Sequence, residues 1–168
     1  NPAAPIFTNN YQVAPKKGLV VGVTKVLTGR DMAADEFKFQ LVDKYGQVVA
    51  TGKNEAASDG KAAKVNFEEI EYLAKGTYEY TVEEVKGSLG GVKYSDAKYK
   101  VTVKVTDNGD GTLTVGDAVF TDLDGKVTTP VFTNAYTVPS IVVEKTQSAG
   151  GEPTTNTIEV AAGKEVTY

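Results

Sequence analysis

Apolar residues in this chain recur at every second position, in runs of four to ten residues broken by Gly, Asp and Asn clusters. Side chains alternate faces along a strand, so this period specifies half-buried β-strands, and no segment sustains a helical period over three turns. The runs are Leu19 to Leu27, Glu36 to Val42, Gln47 to Thr51, Lys64 to Phe67, Gly76 to Val85, Lys98 to Thr106, Thr112 to Val115, Lys126 to Ala135 and Ile141 to Lys145. Turn chemistry separates them at Lys44-Tyr45-Gly46, Asp59-Gly60, Gly90-Gly91, Asp107 to Gly111 and Asp122 to Gly125. Many short strands at this spacing predict an all-β sandwich. Phe67 to Ala74 is the one stretch read as a single helical turn.

Composition narrows the chemistry. The 168 residues include no Cys and no His, which leaves no Cys/His zinc site, no Ser-His-Asp or Cys-His catalytic group and no disulfide. Carboxylates, Lys, Tyr, hydroxyls and amides remain. With 40% hydrophobic residues and a net charge of −4, the chain can bury a core, and its charge balance does not favour nucleic acid. It lacks an apolar run long enough for a transmembrane helix, and its first residues, Asn1 to Pro5, read as a linker and not a signal peptide. No cofactor and no metal is expected.

One motif repeats. Phe7-Thr8-Asn9-Asn10-Tyr11 returns as Phe132-Thr133-Asn134-Ala135-Tyr136, and each copy precedes a Val, a Pro and a β-branched run that reaches a lysine, Lys25 or Lys145. The expected organisation is one module over residues 13–138. Residues 1–12 would be the last strand of a preceding module or a linker, and residues 139–168 a linker and the first strands of a following module. A chance match, or a peripheral strand pair within one domain, is the competing explanation.

Three strands set a polar residue on their apolar face. The inward set Val21, Val23, Lys25, Leu27 contains a lysine; Tyr78, Tyr80, Val82, Glu84 ends in a glutamate; Phe132, Asn134, Tyr136 has an asparagine at its centre. Thr77, Glu79, Thr81 and Glu83 take the opposite face, so alternation selects Glu84 over its neighbour Glu83. Three strand-end residues that snorkel outward would be an unremarkable alternative. A buried lone charge, however, must neutralise, pair or react. Lys, Glu and Asn grouped in an apolar enclosure suggest amide formation between the lysine amine and the asparagine carboxamide, with ammonia leaving. Burial favours a neutral amine and a protonated glutamate able to hydrogen-bond the asparagine carbonyl and shuttle protons. Contact in the core would supply the effective concentration. The event occurs once per molecule, so the protein is not expected to be an enzyme with turnover.

The segments Val23 to Arg30, Glu36 to Asp43, Gly76 to Val85, Tyr99 to Leu113 and Val131 to Tyr136, in that order, resemble the streptococcal pilin isopeptide-linkage domain. The resemblance implies an Ig-like sandwich related to collagen-adhesin B-type domains, in a shaft or stalk module of a Gram-positive pilus or surface adhesin. By it, Lys25 supplies the amine, Asn134 the carboxamide and Glu84 the catalytic acid. Asn9 and Lys145 would be the cross-link residues of neighbouring modules, and Val166-Thr167-Tyr168 the start of a further strand. The implied location is extracellular, on the cell wall or pilus, with neighbouring modules or pilin subunits as partners. A module that binds a host matrix protein or glycan is the alternative, and a carboxylate-pair enzyme a third, for which Glu84 has no partner on its strand face.

Other signals have plainer readings. Asp107 to Gly111 has calcium-loop composition without EF-hand spacing and reads better as a hairpin turn. Glu68, Glu69 and Glu71 read as a solvated acidic face. Lys16 and Lys17 follow Pro15 as sortase-joined lysines do in pilins, or are plain linker lysines.

Overall fold

The computed structural model describes residues 5–138 and, by backbone, two further strands, Ser140–Gln147 and Thr154–Ala161. The strands are β1 (Lys16–Gly18), β2 (Thr24–Thr28), β3 (Lys38–Asp43), β4 (Val48–Asn54), β5 (Ala62–Phe67), β6 (Ile70–Tyr72), β7 (Gly76–Val85), β8 (Val92–Lys93), β9 (Lys98–Asp107), β10 (Leu113–Val115), β11 (Val119–Thr121), β12 (Val131–Tyr136), β13 (Ser140–Gln147) and β14 (Thr154–Ala161). No helix occurs among the described residues, so none is long and apolar enough to cross a membrane.

One ladder runs β10-β9-β7-β3-β4-β5-β2-β12-β8, and β11 also pairs with β9. The ladder folds over at β5. Its residues Val65 to Phe67 pair with Asn54 to Gly52 of β4, whereas Ala62 to Lys64 pair with Val26 to Thr24 of β2. A strand that changes partners midway turns the corner of a sandwich. Edge-to-face contact between Phe39 of β3 and Phe132 of β12, 5.2 Å between ring centroids, joins the two layers through the core. Leu27, Leu41, Val82, Val101 and Val103 are buried in the same core cluster as this pair.

β2 and β12 are adjacent and parallel, with Lys25 opposite Phe132 and Leu27 opposite Asn134. Parallel neighbours need a long crossover, and here nearly the whole module is that crossover. β13 and β14 form a separate antiparallel pair in which Lys145 lies opposite Asn156. The side chain of Lys145 and the Val166-Thr167-Tyr168 strand signal lie outside the described residues.

Two readings of the sequence are corrected. Val21 is 62% exposed, and Val20, at 2%, takes its place in the core. Gly22 lies between Val21 and Val23 at φ +100°, a left-handed conformation open to glycine. It resets the alternation, so the strand that positions Lys25 begins only at Thr24. Phe67 to Ala74 forms no helical turn: Ile70 and Tyr72 are buried, Glu71 faces outward, and the three pair with β1 as β6. Asp107 to Gly111 forms the β9–β10 hairpin turn, with Asn108 N–H donating to Thr112 O at 3.0 Å. Glu68 accepts from the N–H and hydroxyl of Thr51, and Glu69 lies 3.8 Å from Lys17.

Because Val20 is inward and Val21 outward, Val20→Asp should destabilise the fold by about 3 kcal/mol or more, as an unpaired buried charge does. Val21→Asp should change it by about 0.5 kcal/mol or less. Urea melts of the two variants check the assignment, and equal losses would contradict it.

Candidate functional site at the β2–β12 seam

β2 and β12 each contribute one inward polar side chain to the same face of their parallel pair, offset by two residues. β7, in the facing layer, brings Glu84, which sits opposite Phe39 of β3. The structure therefore places Lys25, Asn134 and Glu84 together in the core. Lys25 and Asn134 are 0% exposed and Glu84 is 7% exposed.

A single carboxylate oxygen joins them. Glu84 Oε1 lies 2.8 Å from Lys25 Nζ and accepts a 2.8 Å hydrogen bond from Asn134 Nδ2. Lys25 Nζ has no well-aligned hydrogen-bond acceptor beyond this contact. The Phe37 ring stands 4.5 Å from Nζ and that of Phe39 5.9 Å, so aromatic faces replace water around it. Burial pushes the Lys25 amine down to about 8, against the opposing pull of Glu84. The site thus favours the neutral, nucleophilic amine more than water does.

Asn134 is oriented from both ends. Its Nδ2 donates to Glu84, and its Oδ1 accepts a 2.7 Å hydrogen bond from the main-chain N–H of Ser95. An N–H can only donate, so it fixes the carboxamide with oxygen toward Ser95 and nitrogen toward Glu84. The expectation that Glu84 would hydrogen-bond the asparagine carbonyl differs from this arrangement: the carboxylate faces the amide nitrogen, and a backbone donor holds the oxygen. Ser95 carries no periodic signal in the sequence because its contribution is a main-chain group in a loop.

Glu83 is turned away from the seam, as alternation requires. Lys98 lies 2.5 Å from its Oε2 and Gln40 Nε2 donates to its Oε1 at 2.6 Å; the two, Lys98 first, hold its carboxyl below the usual range. Asn54 is a further buried polar residue that the strand pattern did not single out. Its Oδ1 accepts from Phe37 N–H, and its Nδ2 donates to the carbonyls of Ala33 and Glu55. That full set of partners marks a structural amide. Asn9 is exposed, unlike the buried Asn134, and Lys16 and Lys17 are exposed on β1.

A family model described as the Spy0128-like isopeptide containing domain (FctA) matches residues 21–137, which hold all three buried residues. The chain belongs to this family. Two solved structures of Streptococcus pyogenes major pilins are similar in fold. The T-13 pilin is 17% identical, with a TM-score of 0.55 over 88% of this chain and 74% of the pilin. The T3.2 pilin is 15% identical, with a TM-score of 0.50 over 87% of this chain and 71% of the pilin. No curated protein sequence matches the chain.

The Lys25 shift sets a pH dependence for any chain in which the lysine stays free. The folded pKa of the free Lys25, about 8, lies below the ordinary 10.5, so in a chain kept unlinked by Asn134→Ala the unfolded state should bind more protons between these values. Stability should therefore rise with pH across that window, by at most about 1.4 kcal/mol per unit. A reference chain carrying Lys25→Met, Glu84→Gln and Asn134→Ala should lack this rise. Denaturant melts at pH 7.5, 9 and 10.5 distinguish them, and parallel profiles would contradict the shift.

Proposed function

We propose that this chain is a structural shaft or stalk module of a Gram-positive pilus or surface adhesin, stabilised by an isopeptide bond that it forms itself between Lys25 and Asn134. The observation that carries the reading is the convergence of a buried lysine and a buried asparagine, from the first and last strands of the seam, on one oxygen of a buried glutamate. The family description and the pilin fold support it.

The chemistry follows from the contacts. The Lys25 ammonium gives a proton to Glu84 across 2.8 Å, leaving a neutral amine and a carboxylic acid. Nζ attacks Asn134 Cγ, and the carbonyl electron pair moves to Oδ1. Glu84 then protonates Nδ2, already in hydrogen-bond contact with it, and the Oδ1 electron pair re-forms the carbonyl as the Cγ–Nδ2 bond breaks and ammonia departs. The new amide nitrogen returns its extra proton to Glu84. One N–C bond replaces another, one ammonia is expelled, and no cofactor or redox partner enters. The fold supplies the proximity that lets an unactivated amide react.

The bond would act along the line of load. β2 and β12 are parallel neighbours, so a pull on the chain before β2 and after β12 shears one strand past the other. A Lys25 to Asn134 link crosses that seam and closes a segment of 110 residues, both linked residues included. Treated as a disulfide of comparable loop length, it removes about 4 to 5 kcal/mol of denatured-state freedom. A Cys-free protein outside the cell gains a covalent staple in this way. The partners in this reading are neighbouring modules or pilin subunits, with Asn9 and Lys145 as the corresponding residues of adjacent modules, and the location is the cell surface.

Single-molecule pulling tests the mechanical role. Held outside residues 25 and 134, the native chain should break without releasing the enclosed segment. Glu84→Ala should release about 370 Å of contour, at about 3.4 Å per residue. Release of that length by the native chain would refute the proposal.

A further inference from the structure

The segment between Val85 and Lys98 crosses from one layer of the sandwich to the other and closes over the seam. Its strand β8 pairs antiparallel with the end of β12, Lys93 opposite Ala135 and Val92 opposite Tyr136. Gly91, at φ +75°, accepts from Thr137 N–H at 2.9 Å, and a Cβ there would lie 2.4 Å from Thr137 O. The approach is therefore too close for any other residue. Tyr94 packs edge-on against Phe37, the ring that faces Lys25 Nζ. Ser95 Oγ accepts from Ala97 N–H at 3.2 Å, which orders the turn. The result is a main-chain N–H aimed into a dry core, 2.7 Å from Asn134 Oδ1 and 3.2 Å from Glu84 Oε2.

We propose that the Ser95 main-chain N–H is a fourth catalytic group of the seam, an oxyanion donor for the Asn134 carbonyl. The proposal rests on the isopeptide reading above. When Nζ attacks Cγ, negative charge develops on Oδ1, the atom that this N–H already contacts. A fixed backbone dipole in a water-excluded site stabilises developing charge strongly and needs no reorganisation as the bond forms. The same donor keeps Oδ1 away from Glu84, so the carboxyl faces the leaving nitrogen, where its proton is needed. Its second contact, on Oε2, holds the carboxylate so that Oε1 points at both nitrogens. Lys25 and Glu84 thus handle protons while Ser95 handles the oxygen.

The test removes the N–H and leaves the chain otherwise intact. The whole protein is made by cell-free translation with the α-hydroxy analogue of serine at position 95, which turns that amide into an ester, and ammonia loss is followed by intact mass over time. The ester chain should link on the order of 10² to 10³ times more slowly than the native chain. Ser95→Ala keeps the N–H and loses only the Oγ that orders the turn, so it should slow linkage far less than the ester does. Gly91→Val, which pushes the loop off β12, should also slow linkage, and it decides the matter if the ester chain does not fold. An ester chain or a folded Gly91→Val chain that links at the native rate overturns the proposal. A native chain that never loses ammonia overturns the isopeptide reading itself.

Discussion

An ammonium group sealed between two phenylalanine rings, touching one carboxylate oxygen, is the constraint around which this sandwich is organised. Burying such an ion costs several kcal/mol even after relaxation, and beyond its contact with Glu84 Lys25 has none of the aligned hydrogen bonds that normally offset the cost. Asn54, equally buried, satisfies both its donor and its acceptor functions and so is at rest. The two residues show why burial alone does not mark a reactive site. What marks it is a polar group left incomplete beside a group with which it can react.

The topology sets that contact across the seam between β2 and β12. The two strands are parallel neighbours, and Lys25 and Asn134 share one face of the pair. β5 makes this possible: by leaving β4 for β2 halfway along its length, it folds the sheet so that β7 faces the seam and delivers Glu84. The loop that follows β7 then returns over the same seam with Ser95. Position along the chain and the meeting of these side chains are thus consequences of one folded-over ladder.

Much of this was legible in alternation alone. β7 runs from Gly76 to Val85 as read, because pairing with β9 over Gly76 to Glu83 and with β3 over Tyr80 to Val85 leaves no freedom in register, and Glu84 and Glu83 therefore separate cleanly. The inward placement of Lys25 and Asn134 was legible because each alternates with buried apolar neighbours, Val23 and Leu27 for the lysine and Phe132 for the asparagine. Val20 and Val21 were exchanged because the period cannot show that Gly22 adopts positive φ. β6, β8 and β11 have two or three residues each, too few to carry a period. Ser95 was invisible because its contacts with Asn134 and Glu84 are made by the main chain and depend on where a loop lands.

The central claim is a covalent bond made by these three side chains, and mass spectrometry of the purified native chain tests it most directly. Intact mass should fall about 17 Da below that of the sequence, for one ammonia lost. Proteolysis should yield a branched peptide joined at Lys25 and Asn134. A full-length mass equal to the sequence, with only linear peptides around both residues, would contradict the account.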